Sequence, residues 1–160
     1  MNTPFAHLIA SLCIGATLGV PAWAGSGSVL PEGRSCYYLN DRHVERAVRL
    51  DRTGHTVQGR MVYFPHGKDG RTGRLRDGYV QPDGSVRITY DYTIEGMHQI
   101  QAQILGTTPR GLRFKTGAYR VVREQPYEER FAAPASARWD RTVLPRVKCS
   151  LPALRRALND

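Results

Sequence analysis

The chain has 160 residues, 41% of them hydrophobic and 23% charged, with a formal net charge of +9 and a pI near 9.9. That length suffices for one domain rather than two. The composition excludes a collagen-like chain, a disordered tail and a polytopic membrane protein.

Residues 8–20 are almost wholly apolar and uncharged, and Pro21-Ala22-Trp23-Ala24 follows. Signal peptidase accepts small residues at the first and third positions before its cut. Residues 1–24 therefore read as a signal peptide cleaved between Ala24 and Gly25, although residues 1–7 carry no Lys or Arg. The apolar run is shorter than the ~18–20 residues a membrane span needs, so no transmembrane span is expected in the mature chain. Leu12, before Cys13, is bulkier than lipoprotein processing usually tolerates, so no lipid anchor is expected. The expected location is the periplasm or the cell exterior.

Export leaves Cys36 and Cys149. An even pair in an oxidising compartment reads as a disulfide, here joining the two ends of one domain; the alternative is a pair of buried thiols. A zinc site needs more ligands at closer spacing, so no metal or cofactor is expected.

Residues 25–35, rich in Gly and Ser, read as a flexible lead before a domain spanning 36–149. Period-two alternation then marks half-buried strands. Val57, Gly59, Met61 and Tyr63 alternate with Thr56, Gln58 and Arg60. Val86, Ile88, Tyr90 and Tyr92 alternate with Arg87, Thr89, Asp91 and Thr93. His98, Ile100, Ala102 and Ile104 alternate with Gln99, Gln101 and Gln103, and Leu112 and Phe114 with Arg113 and Lys115. Residues 46–51 and 117–123 supply further strands. Turn residues separate the runs at 52–54, 67–73, 82–84 and 107–111. Residues 124–138, with Pro126, Pro134 and several charges, read as a long loop. At the C-terminus, residues 150–160 read as a short helix capped by Ser150, with Leu151, Leu154 and Leu158 on one stripe. The expected fold is mainly β: an antiparallel meander of about seven or eight strands, closing as a small lipocalin-like barrel or folding as a sandwich.

Four stretches carry a family resemblance. They are Cys36-Tyr37-Tyr38, the hairpin over 44–63, the loop Lys68-Asp69-Gly70-Arg71-Thr72-Gly73, and the run over 88–97 containing Asp91-Tyr92 and Glu95-Gly96. Over residues 36–105 the chain resembles a group of small exported bacterial envelope proteins, often lipid-anchored, that carry no assigned function. The resemblance implies an exported β-rich domain and no catalytic residues. The group's lipid anchor is not carried over, because this chain lacks a lipidation site of the usual form.

Catalytic motifs are absent: there is no Gly-x-Ser-x-Gly and no His-Glu-x-x-His, and the loop at Gly67, Gly70 and Gly73 has neither phosphate-loop nor Rossmann spacing. His43, His55, His66 and His98 form no pair at metal spacing. His98 reads as a packed or rim residue, with a ligand role as the sharper alternative. Glu95 reads as a turn residue paired with an Arg; as an acid or base it lacks a visible partner.

Tyr63, Tyr90, Tyr92 and Tyr119 are expected on the inner face, either as core whose hydroxyls reach the rim or as the lining of an amphipathic pocket. With His98 and Glu95 they are the candidate ligand-binding residues. Arg60, Arg87, Arg113 and Lys115 are expected outside, where they form a candidate basic face.

The first functional expectation is a non-enzymatic envelope domain holding an anionic envelope component or a protein partner on that face. One alternative is a small-molecule binder with a tyrosine-lined interior. The other is an enzyme built on the single carboxylate of Glu95. Nucleic acid is not an expected partner, given export and the lack of a recognition motif.

Overall fold

The computed structural model describes residues 29–160, so the expected signal peptide and its cleavage site lie outside the described residues. The strands are β1 (Gly33–Asn40), β2 (Val44–Thr53), β3 (Thr56–Pro65), β4 (Arg71–Val80), β5 (Val86–Ile94), β6 (Met97–Thr108), β7 (Gly111–Thr116), β8 (Tyr119–Glu124), β9 (Tyr127–Phe131), β10 (Arg138–Trp139) and β11 (Arg146–Val147). A 3-10 turn, Pro134–Ser136, precedes β10, and one helix, α1 (Pro152–Leu158), ends the chain.

The fold is a mainly antiparallel meander in one eleven-stranded sheet; nine strands run in the order β10-β7-β6-β5-β4-β3-β2-β1-β11, and off this path β8 pairs with β9 and β9 with β6. Alternation is the cause along β5, where Val86, Ile88, Tyr90 and Tyr92 are buried while Arg87 and Thr93 are exposed. The sheet curls until residues of β1, such as Tyr37, and of β7, such as Leu112 and Phe114, share one apolar core with Leu50, Leu75 and Tyr90.

The sheet is not closed into a barrel. Where a barrel would have a ladder, residues 144–147 touch both ends. Leu144 exchanges two backbone hydrogen bonds with Leu112 of β7, at 2.9 and 2.7 Å, and the Pro145 carbonyl accepts from the Tyr38 amide of β1 at 3.1 Å. Gly111 permits that approach, since a Cβ there would sit 2.0 Å from the Leu144 carbonyl oxygen. Cys149 follows at once and is disulfide-bonded to Cys36 of β1.

The sequence expectations need five amendments. The described residues hold more strands than seven or eight, because the stretch expected as a loop over 124–138 contains β9, the 3-10 turn and the start of β10, and β11 follows it. β9 lies parallel to the first half of β6, pairing Gln99 with Tyr127 and Gln101 with Glu129. On β6 the glutamines take the core face: Gln99, Gln101 and Gln103 stand opposite Tyr92, Tyr90 and Ile88. Ile104 faces the other way and is covered by Phe131 and Ala137.

The lead is anchored where it is described. Leu30 is buried in the core, and the Glu32 carboxylate accepts from the Gly54 amide at 2.9 Å. Lastly, Ser150 does not cap α1; Leu151 is its N-cap and makes no side-chain bond there. The helix is held by apolar docking of Leu154 and Leu158 against Cys36, Ala47 and Val62, on the sheet's outer face. Among the described residues no helix is long and apolar enough to cross a membrane.

Candidate functional site: a tyrosine and arginine cavity

β2, β3 and β4 place Arg46, Tyr63 and Arg71 directly opposite one another, in a row across three neighbouring strands. Their shared face is the inner one. It opens into a cavity of about 250 Å³ that Tyr90, Gln101, Phe114 and Tyr119 also line. Ligand cavities span roughly 300–1,000 Å³, so this one falls just below that range.

The aromatic wall is held by its hydroxyls. Tyr90 is buried, donates to the Met61 carbonyl at 3.1 Å and stacks on Tyr92 with ring centroids 4.6 Å apart. Tyr119 donates to the Ala102 carbonyl at 3.2 Å, and Tyr92 to Gln99 Oε1 at 2.8 Å. Burial pushes the Tyr119 hydroxyl up to about 12 and carries Tyr90 higher still, so both stay protonated. The glutamines form a relay along β6. Gln103 donates to Gln101 at 2.7 Å, and Gln101 donates to Glu129 at 2.9 Å. That relay satisfies amide groups that would otherwise be stranded on the core face.

The cations are placed differently. The Arg46 guanidinium lies over the Tyr63 ring at 4.6 Å and the Phe114 ring at 4.8 Å. Arg71 lies over Tyr63 at 5.9 Å and Tyr92 at 5.3 Å. Among the described residues neither has a carboxylate within 4 Å, whereas Arg34, Arg49, Arg52, Arg76, Arg123 and Arg130 all do. Burial lowers the Arg46 pKa, and Tyr63 and Asp140 nearby only partly offset it. A desolvated cation–π contact gives about 2 kcal/mol, against several kcal/mol for taking an ion out of water. The rings alone leave Arg46 under-compensated.

The structure brings together three of the six candidate ligand-binding residues, Tyr63, Tyr90 and Tyr119, with Tyr92 packed behind Tyr90. His98 and Glu95 lie elsewhere. His98 is exposed on the opposite face, its Nε2 2.5 Å from Asp91 Oδ1. Glu95 is exposed in the β5–β6 turn with φ of 50°. The adjacent Asp69 carboxylate holds it above the usual carboxylate range. Two motifs that carried the family resemblance thus meet in space.

The four outward cations are dispersed. Arg60 lies by α1, 3.6 Å from Asp160, and Arg87 lines an outer groove with Arg120 and Arg130. Arg113 and Lys115 stand over the Trp139 ring at 4.4 and 5.1 Å, and Lys115 also lines the tyrosine cavity. Arg60 is thus four strands away from Arg113 and Lys115 in the sheet order.

Sequence reasoning missed Arg46, Arg71, Gln101 and Gln103. A signal existed for Arg46, which shares the parity of Val48 and Leu50 and so falls on the apolar side of its strand. The chain matches no protein-family model, no curated protein and no solved structure.

Proposed function

We propose that the domain binds a small amphipathic molecule in the cavity between Tyr63, Tyr90 and Tyr119, without catalysing a reaction. The observation that carries this reading is the combination of a cavity of about 250 Å³ with an aromatic wall whose polar ends are fixed. Pockets of that kind pair an apolar body with a few oriented polar groups. The cations expected to form an outer basic face are scattered over the surface and support binding there less well. The domain works in the periplasm or outside the cell, where the Cys36–Cys149 disulfide is stable.

Native mass spectrometry of the exported chain, purified without refolding, tests the reading. Wild type is expected to carry extra mass that leaves on activation. Thr116→Trp, which fills the cavity at an exposed lining residue, is expected to lose it. A bare wild-type spectrum, with no rise in melting temperature across a panel of small aromatic acids, amides and alcohols, overturns it.

A further inference from the structure

We infer that the cavity takes its ligand by an oxyanion head group, carboxylate or phosphate, held between Arg46 and Arg71. The inference rests on the cavity reading above and adds the ligand's chemistry. Arg46 and Arg71 flank Tyr63 on adjacent strands, two strand spacings or about 10 Å apart at the backbone. Both guanidiniums reach inward over the same ring, at 4.6 and 5.9 Å, so two like charges are drawn together on one aromatic. Lys115 lines the same space as a third cation, and Asp140 is the one carboxylate that lines it among the described residues.

Asp140 lies beyond ion-pair distance of both arginines, although this protein pairs many of its other arginines. A planar fork of donors on each side of a small space matches an oxyanion's lone pairs. The body of the ligand would lie against Tyr90 and Phe114, and the small volume restricts it to about one ring.

Isothermal titration of the exported chain at low, fixed ionic strength with benzoate, phenyl phosphate and benzamide tests this. The amide is the neutral counterpart of benzoate. At least one anion is expected to bind roughly tenfold or more tightly than benzamide, and the tighter anion identifies the head group. Arg46→Gln and Arg71→Gln are each expected to weaken that anion roughly tenfold and benzamide by clearly less, so that the preference for the anion shrinks.

Arg46→Met adds a readout that needs no ligand. Removing a buried cation that its surroundings only partly compensate is expected to raise the melting temperature of the empty protein while erasing the rise that benzoate gives; a fall for the empty protein counts against the inference. Benzamide binding as tightly as both anions overturns the head-group assignment and leaves the cavity reading standing. Binding of none of the three overturns both.

Discussion

Tyr90 shows what a single side chain contributes to this core. It is 1% exposed, and its hydroxyl is the donor to the Met61 carbonyl. Tyr90→Phe keeps the ring and removes one hydrogen bond to a residue that β3 also pairs with Val48 and Gly73, so a loss of about 0.5–1.5 kcal/mol is expected in a denaturant melt. Its inward placement was legible, because strict alternation on its strand admits one inner set. Arg46 was not legible as a site residue, since a charge is ordinarily assigned to solvent. Its partners Tyr63 and Phe114 come from strands far apart in sequence. Acid sensitivity also belongs to this scale. Asp91 is pushed up by burial but held lower overall by His98 and Arg76; Ser85 holds Asp83 down, and Arg130 and Arg123 hold Glu128 down. Each folded pKa therefore lies below its unfolded value. The stability these groups add is present above about pH 5 and lost as pH falls below about 4. Melting temperature is expected to fall across that window, and less steeply for Asp91→Asn; an equal slope in wild type and variant would contradict the assignment.

Elements whose one face meets water were readable; elements covered on both faces were not. β5 has an open outer face, and its four apolar positions could be read directly. β1 buries Ser35, Cys36 and Tyr37 in succession, because the core covers one side and α1 the other. β6 inverts the usual reading for a related reason. Its Ile104 is covered from outside by Phe131 and Ala137, and the core face carries the glutamine relay. β9 and β10 are short and lie beside prolines; β9 pairs with β8 and β6 and β10 with β7, but the charged run Glu128-Glu129-Arg130 breaks any alternation of hydropathy in β9, and two residues of β10 are too few to show one. The helix was legible from its leucine stripe alone. Its single turn or two cannot persist without docking. Leu154→Ala is expected to cost about 2–5 kcal/mol, and the neighbouring exposed Arg155→Ala about 0.5 kcal/mol or less. Similar losses for the two would mean that the helix does not hold the sheet's outer face.

At the scale of the molecule, one segment keeps the curled sheet in shape. Residues 138–147 run along β7 and then cross to β1, and the cavity-lining Asp140 sits within that run. The contacts at the crossing are few: one bridge at Leu112 and Leu144, one bond from Tyr38 to Pro145, and two paired residues in β11. Ladders of that length fray easily. The Cys36–Cys149 bond, spanning 113 residues, fixes the far side of the crossing to β1. Its pairing was legible from the cysteine count and the expectation of export; the segment it secures was not, since nothing in residues 141–145 alternates. In the chain-entropy model a loop of that size is worth about 4–5 kcal/mol. Reduction is therefore expected to lower the melting temperature by on the order of 15 °C. The effect should also be local. Hydrogen exchange at the Leu144 and Tyr38 amides is expected to accelerate on reduction well before the amides of β5 and the facing half of β6. Uniform acceleration would mean that the disulfide acts only through the unfolded chain. Selective acceleration would show that it also clamps the two ends of the sheet, and with them the cavity wall that carries Asp140.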